Sequence, residues 1–324
     1  MREVRGCGVP GLLLAHSSLE SIPVPHAVAV VVNPAAGRGS GAQLLPRVRA
    51  AFEESGIAIV RLTAKSGDET RLVRDALDAG AGTIVVVGGD GTWSRCAGAV
   101  LDAAAGDRVR LAFLSAGTGN DFAKNLGAPS RDFAAMAALV TDPSCDRRVD
   151  VGVVESGAAR HWFLNVAGFG FDAAVLEDTS KGGRLGGTAV YIVAALKRLI
   201  GYPGFAYTEG GSQGESRLAM MLVFSNGSHF GGAFRVAPSA RIDDGLLDQV
   251  EIGDVRGLAR IPLFVSAVRG GHVAHPKVRV TRRKEFKLTF SRGPACDLDG
   301  ELVQLAQRDV RIRSVPGAIR VVSP

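Results

Sequence analysis

The stretch VVVGGDGTWSRC, residues 85–96, decides how the first half of the chain is read. Three β-branched residues run straight into Gly88-Gly89-Asp90-Gly91-Thr92, and a helical pattern follows. A short apolar run that ends in a glycine turn and opens a helix is the strand–turn–helix unit of an open parallel sheet. In such sheets ligands bind at the carboxyl ends of the strands, where helices present unpaired N–H groups.

Working outward, the same pattern recurs on both sides. Residues 27–33 (AVAVVVN) form an apolar run ending in Pro-Ala-Ala-Gly37-Arg-Gly39, and helical spacing follows through Leu44, Val48 and Phe52. Residues 58–62 read as a strand, 68–79 as a helix with its charges on one face, 83–87 and 110–114 as further strands. The last of these leads into Ser115-Ala-Gly117-Thr118-Gly119-Asn120-Asp121. Short strand–helix–strand connections predict a doubly wound α/β domain over residues 26–146. All three glycine turns then share one sheet edge, where glycine lets the backbone approach a phosphate. None matches GxxxxGK[ST] or GxGxxG, so neither a P-loop nor a dinucleotide fingerprint is supported. Asp90 and Asp121, each at a helix start, suit Mg²⁺, which takes few carboxylates and keeps part of its water shell.

After residue 146 the texture changes. Residues 148–155 and 160–166 read as strands around a Ser156-Gly157 turn, and 218–225, 232–237, 247–252, 277–281, 286–290 and 311–313 also look extended. Helical pattern is clear only at 188–200 and 255–268, and 201–215 reads as a flexible loop. The expectation for residues 147–324 is an antiparallel β-sandwich.

Composition narrows the function. The chain has 324 residues, 46% hydrophobic and 22% charged, with a net charge of +6 and a pI near 9.4. That balance favours anionic partners. With 14 Phe, 3 Tyr and 2 Trp, a stacking platform for single-stranded nucleic acid is unlikely, and nucleic acid is not an expected partner. Cys7, Cys96, Cys145 and Cys296 are scattered without a CxxC pair, which argues against a thiolate metal site or a disulfide frame. His272 and His275 lack companions for a metal site. The apolar run at Leu12-Leu13-Leu14 is short and follows Pro10, so residues 1–25 read as an extension or a mis-set start rather than a signal peptide. The location expected is cytoplasmic.

The motifs taken together resemble the diacylglycerol-kinase catalytic family of lipid kinases, which includes sphingosine and ceramide kinases. The resemblance rests on NPAAGRG (33–39), GGDGT (88–92), AGTGNDFA (116–123), NVAGFGFDA (165–173), NGSHFGGAFRVAPSARIDDGLLD (226–248) and LDGE (298–301). GGDGT alone is shared with NAD kinases; the ordered set is far more specific. The resemblance implies that Asn33, Gly88, Gly89, Asp90, Gly91, Thr92, Gly117 and Thr118 bind ATP. It also implies that Asp90, Asp121 and Asp150 act with Mg²⁺, that Asp299 is a general base with Glu301 beside it, and that Asp244 belongs to a second, structural metal site. The implied reaction transfers the γ-phosphate of ATP to the hydroxyl of diacylglycerol or a related lipid alcohol, in a cleft between the domains.

The chain departs from the family pattern at Ser94 and Arg95, where Asn-Glu is usual, and at Ser115, where Pro is frequent. Arg95 in a first helical turn opposes the macrodipole, and a solvated face is the reading preferred for it over a phosphate contact. Trp93 is expected to pack against neighbouring structure. The basic residues Lys277, Arg279, Arg282, Arg283, Lys284, Lys287 and Arg292 fit either the solvated face of a ribbon or a peripheral contact with the inner membrane face. Two other readings stay open, a kinase with a soluble acceptor such as NAD and a non-catalytic nucleotide-binding regulator. A homodimer is among the expected partners.

Overall fold

The computed structural model describes residues 27–117, 119–128, 130–181, 198–211 and 214–323. Strands β1 (Ala27–Val32), β2 (Ala58–Leu62), β3 (Ala81–Gly88) and β4 (Arg110–Ser115) pair in parallel in the order β2-β1-β3-β4. Their apolar runs are continuous because both sheet faces are covered. Val31, Ile84, Val86 and Phe113 face helices α2 (Asp68–Asp78) and α3 (Asp90–Asp102). Val30, Val32, Val85, Val87 and Leu114 face the end of α1 (Ala36–Val48) and Phe133 and Met136, further along the chain. Helices on both faces make this half doubly wound, as the sequence predicts.

The second half is antiparallel. A hairpin joins β5 (Asp146–Ser156) to β6 (Ala159–Phe163), followed by β7 (Val166–Gly170), β8 (Phe205–Glu209), β9 (Glu215–Ser225) and β10 (Leu247–Gly253). Then come β11 (Val278–Arg283), β12 (Glu285–Phe290), β13 (Ala295–Leu298), β14 (Glu301–Gln304) and the long β15 (Asp309–Val322). β9 shows why a sandwich forms. Leu222 and Phe224 point into a core shared with Phe286, Leu288 and Ile312, while Val223 points to the opposite core. β15 pairs with β5 and β12, and its end runs parallel to β4, so the chain's last strand extends the first half's sheet.

Three local expectations need correction. Residues 232–237 form no strand; a single bridge joins Phe230 and Phe234, because Gly231 and Gly232, at φ 59° and 78°, turn the chain. Residues 205–209 lie in the stretch read as a loop but form β8, anchored by the buried Tyr207. A helix, Phe171–Lys181, follows β7 where none is expected. Most of the helix expected at 188–200 lies outside the described residues, as does the whole of 1–25.

Candidate active site

The glycine turns meet as the parallel sheet requires. Gly37 has φ 57°, and a Cβ there would fall 1.9 Å from the Ala116 carbonyl oxygen. A Cβ on Gly117 would fall 2.8 Å from the Gly89 Cα. The first and third loops therefore touch, and so do the second and third, in packing that only glycine permits. Asn33 donates from Nδ2 to Thr92 Oγ1 at 2.8 Å, tying the first loop to the second. Asp90 opens α3; its Oδ1 accepts the Phe122 amide at 3.0 Å. Its Oδ2 and the Oδ2 of Asp121 lie 3.3 and 3.7 Å from one point, the Cβ position of Gly119. Asp121 also accepts the Lys124 ammonium at 2.7 Å and the Gly232 amide at 2.9 Å. Asn33, Gly88, Gly89, Asp90, Gly91, Thr92 and Gly117 thus lie in loops at one sheet edge; Thr118 is outside the described residues.

The second wall of the site comes from the other half. β13 and β14 are joined by Asp299 and Gly300, both left-handed at φ 50° and 89°, as a two-residue hairpin turn demands. Asp299 is more than a turn residue. Its carboxylate accepts the amides of Leu164 at 2.6 Å, Asn165 at 2.9 Å and Val166 at 2.8 Å, and the nearby Ser94 hydroxyl favours its charged form. Those three amides occupy three of the roughly four lone-pair positions of a carboxylate, leaving one on Oδ2. Glu301 lies against the nucleotide turn, with Oε1 3.3 Å from the Cβ position of Gly91, and pairs with Arg95.

Arg95 is therefore not a solvated face. Its other branch donates to Glu69 Oε1 at 2.9 Å, and the Glu69 side chain is wholly buried. An acid buried on the inner face of α2 needs a cation, and Arg95 supplies it while reaching across to Glu301. Ser94 and Arg95, where the family has Asn-Glu, both contact the 299–301 hairpin. Trp93 is fully buried and packs on Phe113 at 5.2 Å between ring centroids, as expected.

Comparison with known proteins fits this arrangement. The family model for the diacylglycerol kinase catalytic domain matches residues 27–154, and that for the YegS C-terminal NAD kinase beta sandwich-like domain matches 165–323. A probable lipid kinase YegS-like of Pseudomonas aeruginosa is 32% identical over 89% of this chain and 92% of its own length. The chain belongs to the diacylglycerol-kinase catalytic family of lipid kinases. A diacylglycerol kinase of Mycobacterium tuberculosis is 28% identical over 92% of this chain and 95% of its own. The crystal structure of a diacylglycerol kinase from Bacillus anthracis shares the fold, with a TM-score of 0.64 at 21% identity, covering 92% of this chain and 97% of that one.

Within this candidate site the carboxylates are perturbed unequally. Burial pushes Asp299 up to about 6, against the pull of the Val166 and Leu164 amides and the Ser94 hydroxyl. Burial, with the charge of Asp121, also raises Asp90. Asp297 and Asp172, which motif reading did not single out, are fully buried. Burial and the charge of Asp172 push Asp297 far up, and burial raises Asp172 to about 7. Neither Asp172 oxygen has a partner in hydrogen-bond geometry among the described residues. Asp297 lies in β13 two positions before the Asp299 turn, and a second acid that close to Asp-Gly is the signal that could have found it. Asp172 falls inside the quoted 165–173 motif and Lys124 directly after the 116–123 motif, but neither carries a pattern of its own.

The implied metal positions fare differently. Asp90 and Asp121 face one point with a repulsion that a cation would relieve, so they fit Mg²⁺ held mainly by phosphate and water. Asp150 is used elsewhere. Its carboxylate accepts the Gly245 amide at 2.6 Å and the Gly317 amide at 2.7 Å, pinning the 245 turn to an irregularity in β15. Asp244 is met by the Arg282 guanidinium, which also donates to Asp248 at 2.9 Å. Among the described residues no three His, Cys, Asp or Glu converge to hold a metal, so the residues at 244 do not fit a second metal site.

Proposed function

We propose that the protein transfers the γ-phosphate of ATP to the hydroxyl of diacylglycerol or a related lipid alcohol, at the junction of the glycine turns and the 297–301 hairpin. The observation that carries this reading is the adjacency of two cavities of opposite character. One, of about 240 Å³, is lined by Asp90, Asp121, Asp297 and Asp299, with Phe230 in its wall. Phe230 also walls a small apolar cavity of about 60 Å³ lined by Phe171, Asp172, Leu199, Met220, Met221 and Leu263. A lipid alcohol needs this pair, a polar end for the hydroxyl and an apolar side for its chains.

The nucleotide would lie along the Asn33, Gly88–Thr92 and Gly117 edge, its phosphates toward the amides that open α3. Mg²⁺, bound with ATP, supplies charge neutralisation at the phosphates, and Asp90 and Asp121 would hold it. On the acceptor side the three amides at 164–166 fix the plane of the Asp299 carboxylate. The remaining lone-pair position on Oδ2 is the one that would accept the lipid hydroxyl. Asp299 then takes the hydroxyl proton as the lipid oxygen bonds to the γ-phosphorus and the bond to the β-phosphate oxygen breaks. ADP leaves and the proton passes to solvent. A folded value near 6 suits this base, since it is ionised at neutral pH yet still proton-accepting. Glu301, held by Arg95, fixes the hairpin against Gly91. Among the described residues no helix is long and apolar enough to cross a membrane, and the acceptor would be met by peripheral contact with the inner membrane face.

The test is transfer of labelled γ-phosphate, with Mg²⁺, to diacylglycerol, sphingosine, ceramide and phosphatidylglycerol in mixed micelles, and to soluble NAD. Label in a lipid alcohol is expected. Label in NAD alone, or ATP bound with no acceptor labelled, would refute the reading.

A further inference from the structure

Residues 257–268 are apolar on two opposite sides. A 3₁₀ turn (Gly257–Ala259) leads into helix α4 (Arg260–Ala267). Inward, Leu263, Phe264 and Ala267 line the apolar cavity. Arg260 is buried beneath the turn, donating to the carbonyls of Val255 and of Leu199. Outward, Leu258, Ile261, Val265 and Val268 are exposed, Leu258 by 70% and Val265 by 63%. Their spacing of three, four and three places them along one helical stripe. A helix with apolar residues on both sides has an apolar neighbour on both sides, and here the outer one is not part of the described chain.

The rim of the stripe says what that neighbour is. Arg256 stands at its start, and Arg269 at its end beside Arg235, whose amide donates to the Ala267 carbonyl at 3.1 Å. Among the described residues, Asp254 meets Arg256, while neither Arg235 nor Arg269 has a carboxylate partner. Apolar side chains framed by arginines match a bilayer interface with anionic headgroups. A second copy of the chain is a poorer occupant, because a two-fold contact would bring each cationic rim near its own image.

We infer that the outer face of residues 257–268 docks the protein on an anionic bilayer, with the inner face of the same helix lining the apolar cavity beside the site. The docking face rests on the lipid-acceptor reading for its purpose, though not for its chemistry. Sunk to the depth of Leu258 and Val265, α4 would separate the bilayer from that cavity by one helix thickness.

The experiment compares the full chain with its Leu258→Glu/Val265→Glu variant in cosedimentation with phosphatidylcholine vesicles, with and without phosphatidylglycerol. Turnover of a monomeric short-chain diacylglycerol is measured alongside, and Ile59→Glu, an exposed apolar residue on β2, is the control. The double variant is expected to bind anionic vesicles roughly tenfold more weakly or worse, with Ile59→Glu unchanged and turnover of the monomeric acceptor retained. Vesicle binding equal to that of the wild type would overturn the inference, as would an equal loss in Ile59→Glu. So would a wild-type dimer that the double variant converts to monomers. If no acceptor is phosphorylated by any form but the double variant alone loses vesicle binding, the docking face stands and the kinase reading falls.

Discussion

Both walls of the site are built on aspartates, and they hold them by opposite means. On the nucleotide wall Asp121 has a cation, Lys124, at 2.7 Å and an amide at 2.9 Å. On the acceptor wall Asp299 has amides and a hydroxyl, and Asp297 has the Gly300 amide at 2.8 Å, with Asp172 behind it. The first sets a cation beside Asp121, where Mg²⁺ and phosphates would gather, while burial raises its neighbour Asp90. The second penalises charge, so its carboxyls titrate upward into the range where a proton can be taken and returned. Ser94 and Arg95 join the walls, the serine to Asp299 and the arginine to Glu301.

The sharpest way to break this comparison is Asp299→Asn. It should lower turnover by roughly 10²–10⁴-fold, the usual worth of a general base, while ATP affinity measured by titration stays near that of the wild type. An equal loss of ATP binding would make Asp299 a structural residue alone. On the other wall, Gly117→Ala forces a Cβ to within 2.8 Å of the Gly89 Cα. ATP affinity should fall by roughly tenfold or more as the loops separate, about 1.4 kcal/mol at least, and calorimetry reads it directly.

The penalised charge on the acceptor wall also predicts a stability effect with a definite sign. Asp172, raised to about 7 in the folded protein from an ordinary value of 3.8, binds its proton more tightly folded than unfolded. Its contribution is full below about pH 4 and is lost as pH rises through about 7. Asp172→Asn should therefore stabilise the protein at about pH 8 by on the order of 1–3 kcal/mol, with the gain vanishing near pH 4. Chemical denaturation at the two pH values checks it; a gain of the same size at both would mean packing, not charge, is responsible.

Arg95→Met leaves Glu69 buried with the Gly67 amide at 2.9 Å as its remaining hydrogen bond. A loss of about 1–3 kcal/mol is expected, largely recovered when Glu69→Gln is added. Additive losses in that double-mutant cycle would show that the pair is not coupled. The smallest effect should be Arg282→Ala, about 1 kcal/mol or less, because the guanidinium is half-exposed. Unchanged thermal stability on adding Mg²⁺ or a chelator would agree with an arginine in place of a second metal.

The two walls were not equally legible in the sequence. The nucleotide wall is local: each loop follows its strand within a few residues, and Gly88–Thr92 or Gly117–Asp121 carries its geometry in its own composition. The acceptor wall is assembled from distant parts. Asp299 meets Leu164 across 135 residues, and nothing near Asp-Gly separates a catalytic turn from an ordinary hairpin. Arg95 was misread because its direction depends on Glu69, 26 residues earlier. The clue was available, since Glu69 precedes Leu72, Val73 and Ala76 on the buried face of α2, where an acid needs a cation. The strand expected at 232–237 failed because two left-handed glycines outweigh the apolar residues that follow them.

The most direct test of the account is the rate of phosphate transfer to diacylglycerol, with ATP and Mg²⁺ saturating, across about pH 5 to 8. The account predicts labelled phosphatidic acid, formed at a rate that is level above about pH 6 and falls toward tenfold per unit below it, as Asp299 is protonated. A rate that stays level down to about pH 5, or ATP bound with no label in the lipid, would contradict it.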